Sequence, residues 1–488
     1  MNSLLVVLAM VICAGILWVV PTEGSVAIIV CGLLSVVVVL IISRAEADKQ
    51  FLLRIFLVGL LIRMVVGTLI YVFQLQAFFG GDAATYDFFG WALLRGWEGV
   101  TYYQGYLRTF FGVAGSSGWG MVYMVAAVYA LTGRNMLVIQ FINSVIGAAT
   151  APIVALCAWH IFQNRKVGRL AAFLVAFFPS LVLWSSQGLK DGPIVFLLAL
   201  SILATLKLGE KISVKYLVLL TCSLLALLTF RFYIFYMMIA AVVGAFVIGM
   251  RPITATNFVR QFAVIMVLGV AMGYVGISRV ASVQFETYGT LESIQRGRED
   301  QARTGASGFA KDTDVSNTSG ALSAIPVGLL YLLLAPFPWQ VANLRQSITI
   351  PEMIVWWCSV PFLMLGLWFA IKYRLRQVSP ILIFTSMLTL VYSLFQGNVG
   401  TAYRQRSQLL IFYFIFTAVG FVLYKEKREE DARRDRARRE ELAAQQLSAR
   451  EARVARTARW REEQREEASS LLDDKAEAES ERRGQDWR

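Results

Sequence analysis

The hydrophobic residues of this sequence lie in long runs that are separated by short polar or basic segments. A helix that spans a bilayer needs about 20 mostly apolar residues. Runs close to that length lie at residues 3–20, 25–43, 51–74, 136–162, 168–186, 192–208, 215–230, 232–250, 261–279, 352–372, 378–395 and 407–424. The pattern predicts an all-α, polytopic bundle of about twelve transmembrane helices.

Two shorter apolar runs, 119–132 and 322–336, do not fit this alternation. Each has only about 14 residues, which is short for a full span. We interpret them as juxtamembrane helices embedded on the outer side. Counting both as spans would reverse the orientation of every segment between them.

Composition supports a membrane protein, because 57% of the residues are hydrophobic and only 16% are charged. Soluble domains carry about 25% charged residues. Residues 425–488 hold 18 basic and 18 acidic side chains, so the formal net charge of +13 lies entirely in residues 1–424. We expect these basic residues in cytoplasmic loops or near an anionic ligand, and we do not expect a nucleic-acid partner.

The orientation follows from the basic connections between the runs. They lie at Arg44–Lys49, Asn164–Arg169, Lys207–Lys215, Arg251–Arg260 and Lys372–Arg376. Basic loops stay in the cytoplasm. This places both termini in the cytoplasm of a multi-pass plasma membrane protein, with residues 75–135, 186–192, 280–351 and 396–407 outside.

The sequence predicts two domains, a transmembrane domain at 1–424 and a charged cytoplasmic tail at 425–488. The tail is rich in Ala, Arg and Glu, which favour helix, and its few apolar residues hold no heptad repeat. A solvated helix, a disordered segment and a helix that binds a cytoplasmic protein all stay open. The single histidine, His160, excludes a site built from several histidines.

The first polar cluster on the predicted outer side is 78–87, directly after the third run. Asp82 follows Gly80 and Gly81, where the backbone can turn sharply. A carboxylate at a membrane boundary is costly unless it has a partner or a task. Asp82 is therefore either the N-cap of an interfacial helix or a general base at the mouth of a membrane site.

The second cluster is the short turn 186–192 between two apolar helices. Lys190 and Asp191 precede Pro193, which suits the first turn of a helix. The two charges either pair and cap that helix, or Lys190 faces a phosphate while Asp191 orients the site.

Three arginines complete the outer set. Arg231 stands alone between two apolar runs, and Arg404 and Arg406 lie outside against the positive-inside bias. Guanidinium groups either snorkel to the interface or bind phosphate through two parallel hydrogen bonds. Because Arg404 and Arg406 oppose the positive-inside bias, phosphate binding is the favoured role for both. In the long segment 280–351, the charged part Arg296–Arg303 is either a mobile lid or a solvated loop. The part Ala335–Trp339 is either an interfacial anchor or a wall of an acyl-chain or sugar site.

The order of these features resembles the GT-C superfamily of membrane glycosyltransferases, which use polyprenyl-phosphate sugars. The matching motifs are Asp82-Ala-Ala-Thr-Tyr86, the aromatic stretch Gly118–Tyr123, Phe178-Pro179-Ser180, and Lys190-Asp191 opening an apolar helix. Together they cover about residues 70–210. The stretch 397–406 is also similar to segments of bacterial polysaccharide polymerases and ligases. Two runs precede the usual first span, and Ala83 stands where many members have a second acidic residue.

The resemblance implies that Asp82 is the catalytic base that activates the acceptor. It also implies that Tyr86 and Asp191 belong to the substrate site, and that Lys190, Arg231, Arg404 or Arg406 hold the lipid phosphate. No metal ligand is assigned and no cofactor is certain, and the need for a divalent metal stays open.

We therefore predict an enzyme, a glycosyltransferase that moves a sugar or glycan from a polyprenyl-(pyro)phosphate donor to a glycan, lipid or protein acceptor. The reaction would take place on the outer face of the plasma membrane, in cell-surface polysaccharide or glycoconjugate synthesis. The alternatives are a transporter or flippase for a lipid-linked saccharide, and a non-catalytic membrane assembly protein. A transporter would place charges near the bilayer midplane, whereas most charges here cluster at one face.

Overall fold

The computed structural model of the protein describes residues 3–45, 48–112, 118–250, 255–274, 277–304, 307–310, 313–341 and 343–485. Within these residues all regular structure is helical, apart from one isolated antiparallel bridge between Gly308 and Asn398. The chain forms two compact units, Met1–Val422 and Leu423–Arg488. The predicted all-α class is confirmed.

The helices follow one another with short connections. The first eleven are α1 (Ser3–Val19), α2 (Pro21–Ser43), α3 (Lys49–Val72), α4 (Gln76–Phe79), α5 (Asp82–Trp97), α6 (Gln104–Gly112), α7 (Trp119–Thr132), α8 (Met136–Phe162), α9 (Arg165–Phe177), α10 (Pro179–Ser185) and α11 (Asp191–Glu210). The others are α12 (Val214–Phe230), α13 (Phe232–Ile248), α14 (Ala255–Tyr274), α15 (Ile277–Tyr288), α16 (Leu291–Thr304), α17 (Thr318–Leu334), α18 (Leu344–Ser347), α19 (Ile350–Phe395), α20 (Val399–Gln405) and α21 (Ser407–Gln485). Two 3₁₀ turns lie at Thr101–Tyr103 and Pro338–Gln340.

Asparagine side chains define where several helices begin. They cap α8, α9, α17, α18 and α20, and the capping residues are Asn135, Asn164, Asn317, Asn343 and Asn398. Each side-chain oxygen accepts a hydrogen bond from an amide two or three residues later, which satisfies donors that have no partner within the helix. These polar residues interrupt the apolar pattern and so set the helix boundaries.

The core of the first unit is built around α8. This helix packs against α2, α3, α9 and α11, and most of its side chains are buried. A second group forms where α13 and α17 pack against α19. Separately, α5 packs against α7.

Length and composition alone qualify six helices of the described chain as membrane spans: α2, α3, α8, α11, α19 and α21. A seventh span is added if α9 and α10, which meet at an angle of 56°, count as one broken span. Six further apolar helices or helix segments are only 10–17 residues long. The predicted total of about twelve spans stays a prediction.

The helices bend at two places within or between predicted spans. The run 168–186 is broken at Phe178, because Pro179 starts a new helix and cannot donate a hydrogen bond to α9. The runs 352–372 and 378–395 both fall within α19, where two helices meet at a kink at Arg374, a residue with non-helical backbone angles inside the predicted connection. The connection between them is rich in Lys, Arg and Leu, which are good helix formers, so the chain kinks without uncoiling. The predicted connections Arg44–Lys49 and Arg251–Arg260 lie partly outside the described residues.

The second unit consists of the later part of α21. From Lys427 onward, every described side chain in this unit is exposed. Arg434 pairs with Glu430 one turn before it, at 2.5 Å. Such i,i+4 pairs support a solvated helix, which is one of the forms expected for the tail.

Candidate active site

A cavity of about 800 Å³ in the first unit brings together the polar clusters that the sequence predicts on the outer side. Its charged lining residues are Asp82, Lys190, Arg231, Arg345, Glu352 and Arg404. Much of the remaining wall is apolar and includes Ile62, Val66, Phe177, Val182, Leu183 and Ile348. One cavity therefore offers both a charged region and an apolar surface.

Arg404 joins the two aspartates that the sequence singled out. Its Nη1 donates to Asp82 Oδ2 at 2.6 Å, while Nε and Nη2 lie 2.7 and 2.6 Å from Asp191 Oδ2. These residues are 322 and 213 positions apart in the chain. The side chain of Asp191 is 1% exposed, whereas that of Asp82 is 53% exposed. Asp191 thus anchors the arginine, and Asp82 remains open to a ligand.

Asp82 is the first residue of α5 and lies just after Gly80, whose φ of 121° requires glycine. Gly81 occupies the N-cap position, so Asp82 is not itself the cap. Its side chain pairs with Arg404. One turn later, Tyr86 is buried, and burial together with the charge of Asp82 raises the pKa of its phenol.

The turn before α11 positions Lys190 and Asp191. Asn143 of α8 donates to the carbonyls of Gln187 and Leu189, at 2.6 and 2.8 Å, and so holds the turn against α8. Asp191 starts α11, where a carboxylate complements the positive end of the helix dipole.

Lys190 lies at the N-cap position of α11 and is 8% exposed. Its Nζ is 5.9 Å from the centre of the Tyr86 ring. Burial, and secondarily the positive charge of Arg231, lower the pKa of Lys190 to about 7. The ammonium group is therefore only partly charged at neutral pH.

Arg231 separates α12 from α13 and is buried. Its Nη2 is 3.8 Å from Asp191 Oδ1, and its Nη1 donates to the Tyr392 hydroxyl at 3.4 Å. Tyr392 in turn donates to Gln408 at 2.6 Å. Arg231 and Arg404 thus both lie within 4 Å of the buried carboxylate of Asp191, next to Lys190 in the chain.

The segment that carries Arg404 is held by the loop before α17. Phe309 donates its amide to the Gly397 carbonyl at 2.9 Å, and Val399 donates to Ser307 at 3.0 Å. Asn398, between them, caps α20. Part of the long segment 280–351 therefore clamps the turn that positions Arg404.

Arg406 does not line this cavity. It is fully buried, and its Nη1 donates to the carbonyls of Leu333 and Ala335, both at 3.0 Å. These hydrogen bonds connect the end of α17 to the end of α20. The phosphate-binding role predicted for it finds no support in this placement.

Sequence reasoning missed Glu352 and Arg345. Glu352 is 5% exposed, and its Oε2 accepts hydrogen bonds from the Ser180 amide and the Tyr403 hydroxyl, each at 2.7 Å. Arg345 stacks over the ring of Phe78, 5.3 Å from its centre. The available signal for Glu352 was a carboxylate at the start of an apolar run.

Among the described residues, no three His, Cys, Asp or Glu side chains cluster closely enough to hold a metal ion. The chemistry that the described groups themselves offer is one accessible carboxylate beside several cations. Such a set suits proton abstraction next to an anionic group.

Comparison with known proteins gives a match to a family model and similarity to solved structures. The family model for dolichyl-phosphate-mannose-protein mannosyltransferase matches residues 117–275, a range that contains Lys190, Asp191 and Arg231. A search of curated proteins gave no match.

Two of these structures are of oligosaccharyltransferases from Archaeoglobus fulgidus, and the first is named AglB. The first is in complex with an inhibitory peptide and a dolichol-phosphate, is 14% identical in sequence and gives a TM-score of 0.37. The similarity covers 65% of this chain and 44% of the chain in that structure. The other, with zinc and sulfate, has 13% identity and a TM-score of 0.34 over 64% and 41%. This chain spans less than half the length of either structure. The family match confirms the resemblance of the chain to the GT-C superfamily of membrane glycosyltransferases.

Proposed function

We propose that this protein transfers a sugar or glycan from a polyprenyl-(pyro)phosphate donor to a hydroxyl-bearing acceptor on the outer face of the plasma membrane. The product would enter cell-surface polysaccharide or glycoconjugate synthesis. The observation that carries this proposal is the bridge from Asp82 through Arg404 to Asp191, at the edge of a cavity with an apolar wall.

The two parts of the cavity suit the two parts of such a donor. The apolar wall, which includes Phe177 and Leu183, would accept the first isoprene units of the lipid. Arg404, Arg231 and Lys190 would hold the phosphate, because guanidinium groups bind phosphate oxygens in pairs and the ammonium adds a point charge. A reacting sugar would then lie next to Asp82.

In the transfer step, the acceptor oxygen forms a bond to the anomeric carbon while the bond from that carbon to the phosphate oxygen breaks. The acceptor proton moves to the Asp82 carboxylate, and the electron pair of the broken bond leaves with the phosphate. The three cations stabilise the negative charge that develops on that phosphate.

Arg404 couples these two events. It contacts Asp82 in this structure, and a bound phosphate would compete for the same guanidinium. Sharing Arg404 with the phosphate would weaken its hydrogen bond to Asp82 and leave that carboxylate free to accept the acceptor proton. Donor binding would thus prepare Asp82 for the transfer step.

The test is Asp82→Asn in the full-length protein. We expect kcat to fall by about 10²- to 10⁴-fold, the usual contribution of a general base, with the protein still inserted and the donor still bound. Glu98→Gln, at the other end of α5, is the matched control, since Glu98 is exposed and contacts only Arg95 among the side chains described around it. Wild-type product formation by Asp82→Asn would refute the transferase proposal and favour transport or scaffolding.

A further inference from the structure

Arg63 is a buried cation that the reaction proposed above does not use. It lies in the middle of α3, a candidate span, and is 1% exposed. Its guanidinium donates to the Ser185 hydroxyl at 2.8 Å and to the carbonyls of Gly59 and Ala176 at 3.0 and 2.9 Å. All of these acceptors are uncharged. A cation buried in a span without a carboxylate partner is costly and usually has a function.

Part of that function is to hold the break between α9 and α10. Ala176 lies in the last turn of α9, whose carbonyls lose their helical partners where Pro179 starts the next helix. Ser185 is the last residue of α10. Arg63 therefore contacts both sides of the 56° bend, and its charge complements the negative end of α9.

Arg63 also lies beside a small cavity that is lined by Asp191 of the candidate active site. This second cavity, of about 20 Å³, is lined by Arg63 and Asp191 together with Ser185 and Ser407. All the residues that line it are buried. A cavity of roughly 10–15 Å³ already holds one water molecule, provided that two to four polar groups face it.

Trp184 Nε1, of a residue that lines this cavity, has no hydrogen-bond partner among the described residues. The same holds for two oxygen atoms of lining residues: Oδ1 of Asp191, which lies 3.8 Å from Arg231 Nη2, and Oγ of Ser407. The side chains of Asp191 and Ser407 are 1% exposed. A further group, Nη2 of Arg63, has only a contact of 3.5 Å to the Val175 carbonyl. Orphaned buried polar atoms are costly and are commonly satisfied by an ordered water.

We propose that this cavity binds one water molecule, which accepts a hydrogen bond from Arg63 and links Ser407 to Asp191. Arg63 is then a positioning residue for the active site. Through the water molecule it would hold Oδ1 of Asp191, while Arg404 holds Oδ2. This inference rests on the proposed function for its catalytic consequence, though not for the water site itself.

Kinetics separate this role from a purely structural one. In Arg63→Met, we expect donor KM to rise about tenfold, the effect of losing one hydrogen bond to a charged group, because Arg404 loses its fixed anchor. Ser407→Ala removes only one hydroxyl and should raise donor KM in the same direction without lowering the melting temperature. Arg54→Met is the matched control, an exposed arginine of the same helix, and should leave KM unchanged.

Two results together would overturn the positioning role. Arg63→Met would have a lower melting temperature but wild-type donor KM in the enzyme that remains folded, and Ser407→Ala would also have wild-type donor KM. The water site has its own test, which does not depend on activity. A density map of the wild-type protein that resolves ordered water should show one between Asp191 and Ser407, and an empty cavity would overturn it. A wild-type protein with that water but without transferase activity would refute the proposed function alone.

Discussion

At the residue scale, the three cations of the candidate site are not equivalent. Arg231 and Arg404 each lie within 4 Å of Asp191, and guanidinium stays charged under all ordinary conditions. Lys190 is different, since burial and Arg231 bring its pKa to about 7. A lysine at this position makes the charge of the site depend on pH where arginine would not.

We therefore predict a pH-dependent donor affinity. Below pH 7 the ammonium of Lys190 is charged in the free protein, and above pH 7 it loses its proton. An anionic donor must then restore that proton on binding, so donor KM should rise with pH above 7, by at most about tenfold per pH unit. Steady-state KM between pH 6 and pH 9 measures this effect.

Lys190→Arg provides the control, because its side chain stays charged throughout that range. Its donor KM should be flat between pH 6 and pH 9. An unchanged pH dependence in Lys190→Arg would show that another group titrates.

Sequence reasoning found the site residues that are outliers in an apolar chain. Asp82, Lys190, Asp191 and Arg231 are charges next to long apolar runs. Asp82, Lys190 and Arg231 line the cavity, and Asp191 pairs with Arg231 and Arg404, which line it. It did not separate Arg404 from Arg406. Residues two apart on a helix point in nearly opposite directions, and which of the two faces the cavity depends on packing that sequence does not show.

At the element scale, hydrophobic length predicted where helices lie but not how they bend. The bounds of α8 coincide with the predicted run 136–162 because Asn135 caps the helix. The break at Phe178 depends instead on one proline, and in α19 two helices meet at a kink at Arg374 without an intervening loop. The site needs the break, since α10 and the turn after it place Lys190 and Asp191.

Close packing of α19 against α21 gives a prediction at this scale. A Cβ on Gly366 would lie 1.8 Å from the Phe416 carbonyl oxygen, and one on Gly420 would lie 1.9 Å from that of Phe362. Gly366→Ala should therefore force the helices apart and cost about 1–3 kcal/mol or more. Thermal unfolding of the detergent-solubilised protein measures the loss.

Gly32→Ala is the matched control, because a Cβ there has no atom within 4 Å in the described chain. It should leave the melting temperature unchanged or raise it slightly, since alanine favours helix. Equal melting temperatures of Gly366→Ala and Gly32→Ala would contradict the close packing.

At the scale of the whole molecule, the two units differ in what they can contribute to catalysis. Every residue that lines the candidate site lies in the first unit, whereas the described side chains of the second are exposed from Lys427 onward. Truncation after Tyr424 should therefore leave activity with purified donor and acceptor unchanged. A loss of activity in the purified truncated protein would show that the tail takes part in the reaction or supports the fold.

The predicted orientation is the property on which the location of the reaction depends. The basic loops predict that both termini lie in the cytoplasm and that the site lies outside. Cysteines introduced one at a time at Tyr102, which is 71% exposed near α5, and at Leu447, which is 59% exposed in the tail, test this arrangement. In intact cells a membrane-impermeant maleimide should label Tyr102→Cys, and it should label Leu447→Cys only after permeabilisation.

The background for this experiment must lack the five native cysteines, because all are free thiols and Cys222 and Cys358 are exposed. The reverse labelling pattern would place the cavity on the cytoplasmic side. The donor would then be used in the inner leaflet, and Arg404 would no longer oppose the positive-inside bias. Its hydrogen bonds to Asp82 and Asp191 would remain, so the chemistry would survive while the proposed role in assembling outer-surface glycans would not.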